Sequence, residues 1–221
     1  MIAEHILSND IPPLMTSDSG LKAVAWMEEF RVNHLPIVNN RQFLGMISED
    51  DIFELNSPED ALGNHELSLS NLHVKSYQHV FDVLRVMTDH KLTLISVVDK
   101  AGEYLGCITR KEVLESIAKI SSVKDPGAIV ILEMYQRDYS LAKIAQIVES
   151  EDGKILNVYI NTHENDPLLM DLTLKINRSD LSAIKSALLR FDFNIKALYH
   201  ESQFDDELKD RFDELMNYIN M

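Results

Sequence analysis

The chain of 221 residues contains a stretch that returns, in altered letters, sixty positions later. Residues 21–27, Leu-Lys-Ala-Val-Ala-Trp-Met, space their apolar side chains as an amphipathic helix does, and residues 81–87, Phe-Asp-Val-Leu-Arg-Val-Met, repeat that spacing. Residues 34–38, His-Leu-Pro-Ile-Val, correspond at the same offset to residues 94–98, Leu-Ile-Ser-Val-Val; both read as short strands. One extra turn residue then moves the register to sixty-one, so that residues 44–48, Leu-Gly-Met-Ile-Ser, match residues 105–109, Leu-Gly-Cys-Ile-Thr. Helix-like runs follow at 52–55 and 113–120, and turn formers fill 39–42 and 99–102. Each unit therefore reads helix, strand, turn, strand, helix. A unit this small buries its own faces poorly, so two copies packed together is the arrangement expected.

Pro and Gly punctuate the ends of both copies, at 57–64 and 121–127, which sets the repeats at 1–62 and 63–124. A different order follows. An apolar strand at 128–134, a helix at 141–149, a strand at 155–161, an alternating strand at 170–177, a helix at 181–191 and a strand at 195–199 make βαββαβ, the order of a ferredoxin-like unit over 127–202. Leu208, Phe212, Leu215 and Ile219 then recur at helical spacing, which predicts an amphipathic helix within 203–221. The fold class expected is α+β.

Charge narrows the partners. The 21 basic and 36 acidic residues leave a net charge of −15, which opposes nonspecific attraction to nucleic acid or to an anionic membrane. The excess is uneven: residues 1–62 carry −8, residues 63–124 carry +1 and the remainder −8, so the middle third gives a small anion the most favourable field. The longest apolar runs, 23–27 and 128–132, are far short of a membrane span. The first residues carry no secretory signature. A single cysteine, Cys107, fits a reducing compartment, and a cytoplasmic location is expected.

Each repeat ends its second strand with glycine, two apolar residues, a hydroxyl residue and an acid three positions on: Gly45, Met46, Ile47, Ser48 and Asp51, then Gly106, Cys107, Ile108, Thr109 and Glu112. On these residues the first 120 or so positions resemble the CBS-domain family, whose tandem pairs form Bateman modules of two βαββα-type repeats. The resemblance implies a nucleotide site in which Ser48 and Thr109 contact phosphate while Asp51 and Glu112 accept from ribose hydroxyls. It also implies adenine pockets lined by Ile11 and Pro12 with Asn33 and His34, and by Asn71 and Leu72 with Thr93 and Leu94. A hydroxyl beside backbone N–H groups at a helix start suits a phosphate, and a carboxylate suits two vicinal hydroxyls. The same spacing is equally a helix capping box that needs no ligand. Glu112 is a methylene longer than the family's usual Asp. Glu49, Asp50 and Asp51 crowd the first motif with negative charge, whereas Arg110 and Lys111 give the second the opposite field.

The 127–202 region resembles an ACT domain, and a CBS pair followed by ACT resembles the acetoin-utilisation accessory proteins of bacteria. The loop at 136–140 lacks the glycine that amino-acid-binding ACT domains place there, so the resemblance points to dimerisation. No nucleophile elbow, Walker loop or dinucleotide fingerprint is present, and the eight histidines show no paired ligand spacing, so neither catalysis nor a metal is expected. The reading is a regulatory, non-enzymatic homodimer that senses AMP, ADP, ATP, NAD or S-adenosylmethionine and acts on a protein partner. The alternative is a ligand-independent interaction module with vestigial CBS sites.

Overall fold

Helices and hairpins recur on either side of residue 62 with the spacing that the repeat predicts. The computed structural model describes residues 1–8, 10–65, 72–200 and 216, and the chain divides into two compact units, Met1–Ile117 and Ala118–Met221. The first carries α1 (Gly20–Phe30), β1 (His34–Asn39), β2 (Gln42–Ser48) and α2 (Glu49–Phe53). After them come β3 (His73–Lys75), α3 (Val80–Asp89), β4 (Leu94–Val98), β5 (Tyr104–Thr109) and α4 (Arg110–Ile120), which runs past the end of the unit.

The two copies share their local chemistry. The Ser19 hydroxyl accepts the Lys22 N–H at 3.3 Å to start α1, and His79 and Asp82 form a reciprocal capping box at the start of α3. Each helix ends on a left-handed basic residue, Arg31 at φ 56° and Lys91 at φ 53°. The next N–H, of Val32 or Leu92, reaches back to the carbonyl of Met27 or Met87, both at 2.9 Å. This Schellman-type closure satisfies orphan carbonyls and turns the chain directly into β1 and β4. The hairpins match residue by residue: Ile37 faces Gly45, Val97 faces Gly106, and both ladders slip at the following residue. A parallel edge precedes each helix. It is β3 in the second repeat, with Val74 opposite Val97, and a single bridge between Leu14 and Ile37 in the first.

The copies interlock rather than merely touch. Leu94 and Cys107, from the second repeat, are fully buried in the core of the first with Leu14, Leu35 and Met46. The opening residues cross the other way. Ala3 N–H donates to the Gln78 carbonyl at 2.9 Å, Glu4 N–H to Ser76 at 3.0 Å and Ser8 N–H to Cys107 at 2.8 Å, while Ala3, Ile6 and Leu7 pack into the second core. Residues 3–7, within the range 1–62 expected for the first repeat, thus pack into the core of the second. Residues 10–14 then return to the first repeat.

In the second unit, β6 (Ala128–Tyr135), α5 (Leu141–Ser150), β7 (Ile155–Thr162), β8 (Leu169–Ile176), α6 (Ser182–Arg190) and β9 (Asn194–Tyr199) reproduce the expected βαββαβ order. The strands form one sheet in the order β7-β8-β6-β9, every neighbouring pair antiparallel. Ala128, Val130, Leu132 and Met134 alternate onto one face and bury against Ile144, Ile147, Val148, Ile184 and Leu188 of the helices. The opposite face carries polar residues, among them Glu133 and Asp171, directly paired across β6 and β8. The helix expected within 203–221 lies outside the described residues, apart from Met216. No helix among the described residues is long and apolar enough to cross a membrane.

Gly127 admits β6 to the sheet. Its φ is 151°, and a Cβ there would lie 2.0 Å from the Ile176 carbonyl oxygen. Gly127→Ala is therefore expected to lower the stability of the βαββαβ unit by at least about 2 kcal/mol, measured as a shifted midpoint in urea denaturation followed by far-ultraviolet circular dichroism.

Candidate functional site

A cavity of about 400 Å³ opens at the start of α4. The crossing segment supplies Ser8, Asp10 and Ile11, the closure of α1 supplies Glu29, Phe30, Arg31 and Val32, and the second repeat supplies Thr93 and the run from Thr109 to Glu112. Three bases, Arg31, Arg110 and Lys111, face three acids, Asp10, Glu29 and Glu112, so the lining is formally balanced.

Both hydroxyl-and-acid motifs are capping boxes. Ser48 Oγ accepts the Asp51 N–H at 3.1 Å while Asp51 Oδ2 accepts the Ser48 N–H at 2.8 Å and its hydroxyl at 2.5 Å. At the second motif, Glu112 Oε2 accepts the Thr109 N–H at 2.9 Å and also its hydroxyl, and Thr109 Oγ1 accepts the Lys111 N–H at 3.2 Å. The Arg110 N–H donates to the Thr93 carbonyl at 3.1 Å. The Thr109, Arg110 and Lys111 amides at the start of α4 are therefore already partnered within the chain, in the capping box that the spacing also allowed. The Arg110 side chain is also held, Nε to the Leu92 carbonyl at 2.9 Å and Nη2 to Lys91 at 3.1 Å. Lys111 and Arg31, like Arg110, are exposed where they line the cavity.

Of the residues expected to bind, Ile11, Thr93, Thr109, Arg110, Lys111 and Glu112 come together in this cavity. Ser48 and Asp51 line α2 instead. Pro12 is exposed beside Ile11, and Leu72 packs against the second core. Leu94 is fully buried in the first core, so its side chain faces no ligand. Asn71 lies outside the described residues. Asn33 and His34 reach the cavity indirectly, through Thr93. Thr93 Oγ1 accepts the Asn33 N–H at 2.9 Å and lies 3.0 Å from His34 Nδ1, which also accepts the Thr93 N–H at 3.4 Å. This geometry calls for a neutral His34 whose Nδ1 bears no proton.

Ser8, Asp10, Glu29, Phe30, Arg31 and Val32 were invisible to a reading that paired each motif with its own repeat. The cavity is composite, built where the opening segment passes from one copy to the other. Cys107 lies behind it, buried, its thiol pushed up to about 11 chiefly by burial and so protonated at neutral pH.

Residues 3–57 and 66–119 match the CBS domain family. The first half of the chain is a tandem CBS-domain pair. Among solved structures the chain is similar to a CBS domain pair/ACT domain protein from Thermotoga maritima, at 18% identity over 54% of this chain and 98% of that one, with a TM-score of 0.49. It is also similar to a putative acetoin utilization protein, AcuB, from Vibrio cholerae, at 20% identity over 56% and 95% with a TM-score of 0.47. CBSX2 in complex with AMP gives 20% over 54% and 97%, with a TM-score of 0.47.

His34 joins the two repeats, and its acidity bears on their union. Burial, and then the Arg110 charge, hold the imidazole below its ordinary value of 6.5, outweighing the opposite pull of Asp51 and Asp50. The folded chain binds that proton less readily than the unfolded chain. The stability it contributes is therefore complete above the ordinary imidazole range and lost as pH falls through it. Thermal melts at about pH 7.5 and about pH 5 should show a fall in melting temperature that is smaller in His34→Gln; an equal fall in both proteins would refute the assignment.

Proposed function

We propose that the CBS pair is a regulatory module that binds an adenine nucleotide or related adenosyl ligand in the composite cavity, and that it does no chemistry of its own. The observation that carries this reading is the convergence of Thr109, Arg110, Lys111 and Glu112 on one cavity with the segment that ties the two repeats together. Phosphate suits Lys111 and the α4 start, at the cost of rearranging the cap. The Glu112 carboxylate suits ribose hydroxyls, and Ile11 with Val32 offers apolar walls to a base. The first motif, with Glu49, Asp50 and Asp51 in the opening turn of α2, is the poorer host for an anion. A ligand wedged between a segment from one copy and a helix start from the other favours one arrangement of the two, and that difference in affinity is what can be transmitted.

The βαββαβ unit is read as ferredoxin-like and ACT-like, coupling the ligand state to assembly or to a protein partner. Dimer formation has support in the first unit as well. Phe53 and Leu114, sixty-one positions apart, are 71% and 70% exposed, and Leu21 and Phe81, sixty apart, are 58% and 57% exposed. The repeat has thus placed large apolar side chains on solvent twice at matching positions, and Leu114 also lines a groove of about 610 Å³ between α3 and α4 with Leu84, Met87, Val113 and Ile117. Apolar exposure duplicated in this way fits a self-complementary contact between copies. The same surface favours the second reading, a ligand-independent interaction module.

Isothermal titration with AMP, ADP, ATP, NAD and S-adenosylmethionine separates the readings. One of these is expected to bind with one site per chain and to weaken at least about tenfold in Glu112→Gln, which keeps the cap but loses the carboxylate charge. No heat with any of them would leave the interaction module. For assembly, light scattering should find a dimer that Phe53→Glu with Leu114→Glu converts to monomer while the helical content stays unchanged.

A further inference from the structure

We propose that Glu133, His163 and Asp171, on the sheet face away from α5 and α6, form a binding site for a divalent transition-metal ion of the zinc type. Lys196 occupies the edge of this site as an internal competitor. Glu133 sits on β6, Asp171 on β8 directly opposite it, and His163 one residue beyond β7. All three are half-buried. The imidazole Nε2 lies 3.0 Å from Asp171 Oδ1 and 3.9 Å from Glu133 Oε1, and the three donor atoms fall within 4.8 Å of one another. A tetrahedral ion with bonds of about 2.0–2.1 Å separates its ligand atoms by about 3.3 Å. The two observed separations from the imidazole bracket that value, so small side-chain adjustments suffice.

The surroundings are those of a held site rather than a loose acidic patch. Two donors stand on paired strands of one sheet and the third directly follows a strand, its N–H held by the Leu169 carbonyl at 3.1 Å, which fixes their spacing. Asn194 Nδ2 donates to Glu133 Oε2 at 3.2 Å, orienting the carboxylate so that Oε1 faces the imidazole. Lys196 Nζ takes the far oxygen of Asp171, Oδ2, at 2.7 Å and lies 3.6 Å from Glu133 Oε1, leaving Oδ1 turned to His163. With a neutral imidazole, the two carboxylates and one ammonium sum to −1, so the ammonium does not use up the field that draws a cation. One imidazole with two carboxylates suits zinc and its neighbours, and three ligands leave a coordination position open to water or to a donor from another molecule.

Titration of the full chain with Zn²⁺ tests this. One ion per chain is expected, with affinity reduced at least tenfold in His163→Ala and in the shape-preserving variants Glu133→Gln and Asp171→Asn. Affinity should rise at least tenfold in Lys196→Met, whose melting temperature Zn²⁺ should also raise. A purely structural ion pair would lose stability in Lys196→Met with no response to zinc. No zinc binding by the wild type and Lys196→Met, or binding that His163→Ala leaves unchanged, would overturn the assignment.

Discussion

The fold of the first unit depends on an exchange of chain between its two copies. Ala3, Glu4 and Ser8 spend their backbone N–H groups on the second repeat, and Leu94 and Cys107 spend their side chains on the first. A fully buried Leu contributes on the order of 2 kcal/mol through removal of its surface from water, and a backbone hydrogen bond about 1 kcal/mol net. In both cases the gain accrues only when the partner copy is in place. Neither repeat has a complete core alone, so the pair, and not the repeat, is the cooperative object. The cavity at the start of α4 is a by-product of this exchange: it lies where the opening segment leaves the second repeat for the first.

That origin explains which parts of the site could be read in advance. A sequence period reports what each copy does for itself, and it gave the helices, the hairpins with Gly45 and Gly106 at matching places, and both caps. It could not report which copy a cap faces. Thr109 and Glu112 were singled out by the resemblance of their motif to the CBS family, and their spacing marks the helix cap that the structure shows. Arg31 and Asp10 were not, because nothing local distinguishes them from other surface charges. Leu94 was drawn into the site by its register position, whereas the inward turn of β4, buried along its whole length, places it in the core.

The second unit divides the same way. Alternation along β8 and the apolar run at β6 marked the strands of the βαββαβ order, since a sheet with one buried face writes its period into the sequence. The Glu133, His163 and Asp171 cluster left no trace there, because its members are 30 and 8 residues apart and meet only through strand pairing. Metal motifs can be recognised in a sequence when one helix or one loop supplies several ligands. A sheet that draws its ligands from separate strands and their ends hides them. The two units thus share a lesson in physical terms: local periods encode elements, and sites assembled across elements need the topology.

The crossing of the opening segment also bears on how the molecule is made. Residues 1–8 are synthesised about a hundred residues before Cys107, against whose carbonyl Ser8 closes. Until β4 and β5 are made, the first copy lacks Leu94 and Cys107 to fill its interior, and Ser8 has no carbonyl to close against. Contacts this distant along the chain delay folding, because the intervening segment must be ordered before they form. A nascent chain held at residue 62 would therefore present an unfinished apolar surface, and commitment to the native state awaits the last strand of the second copy.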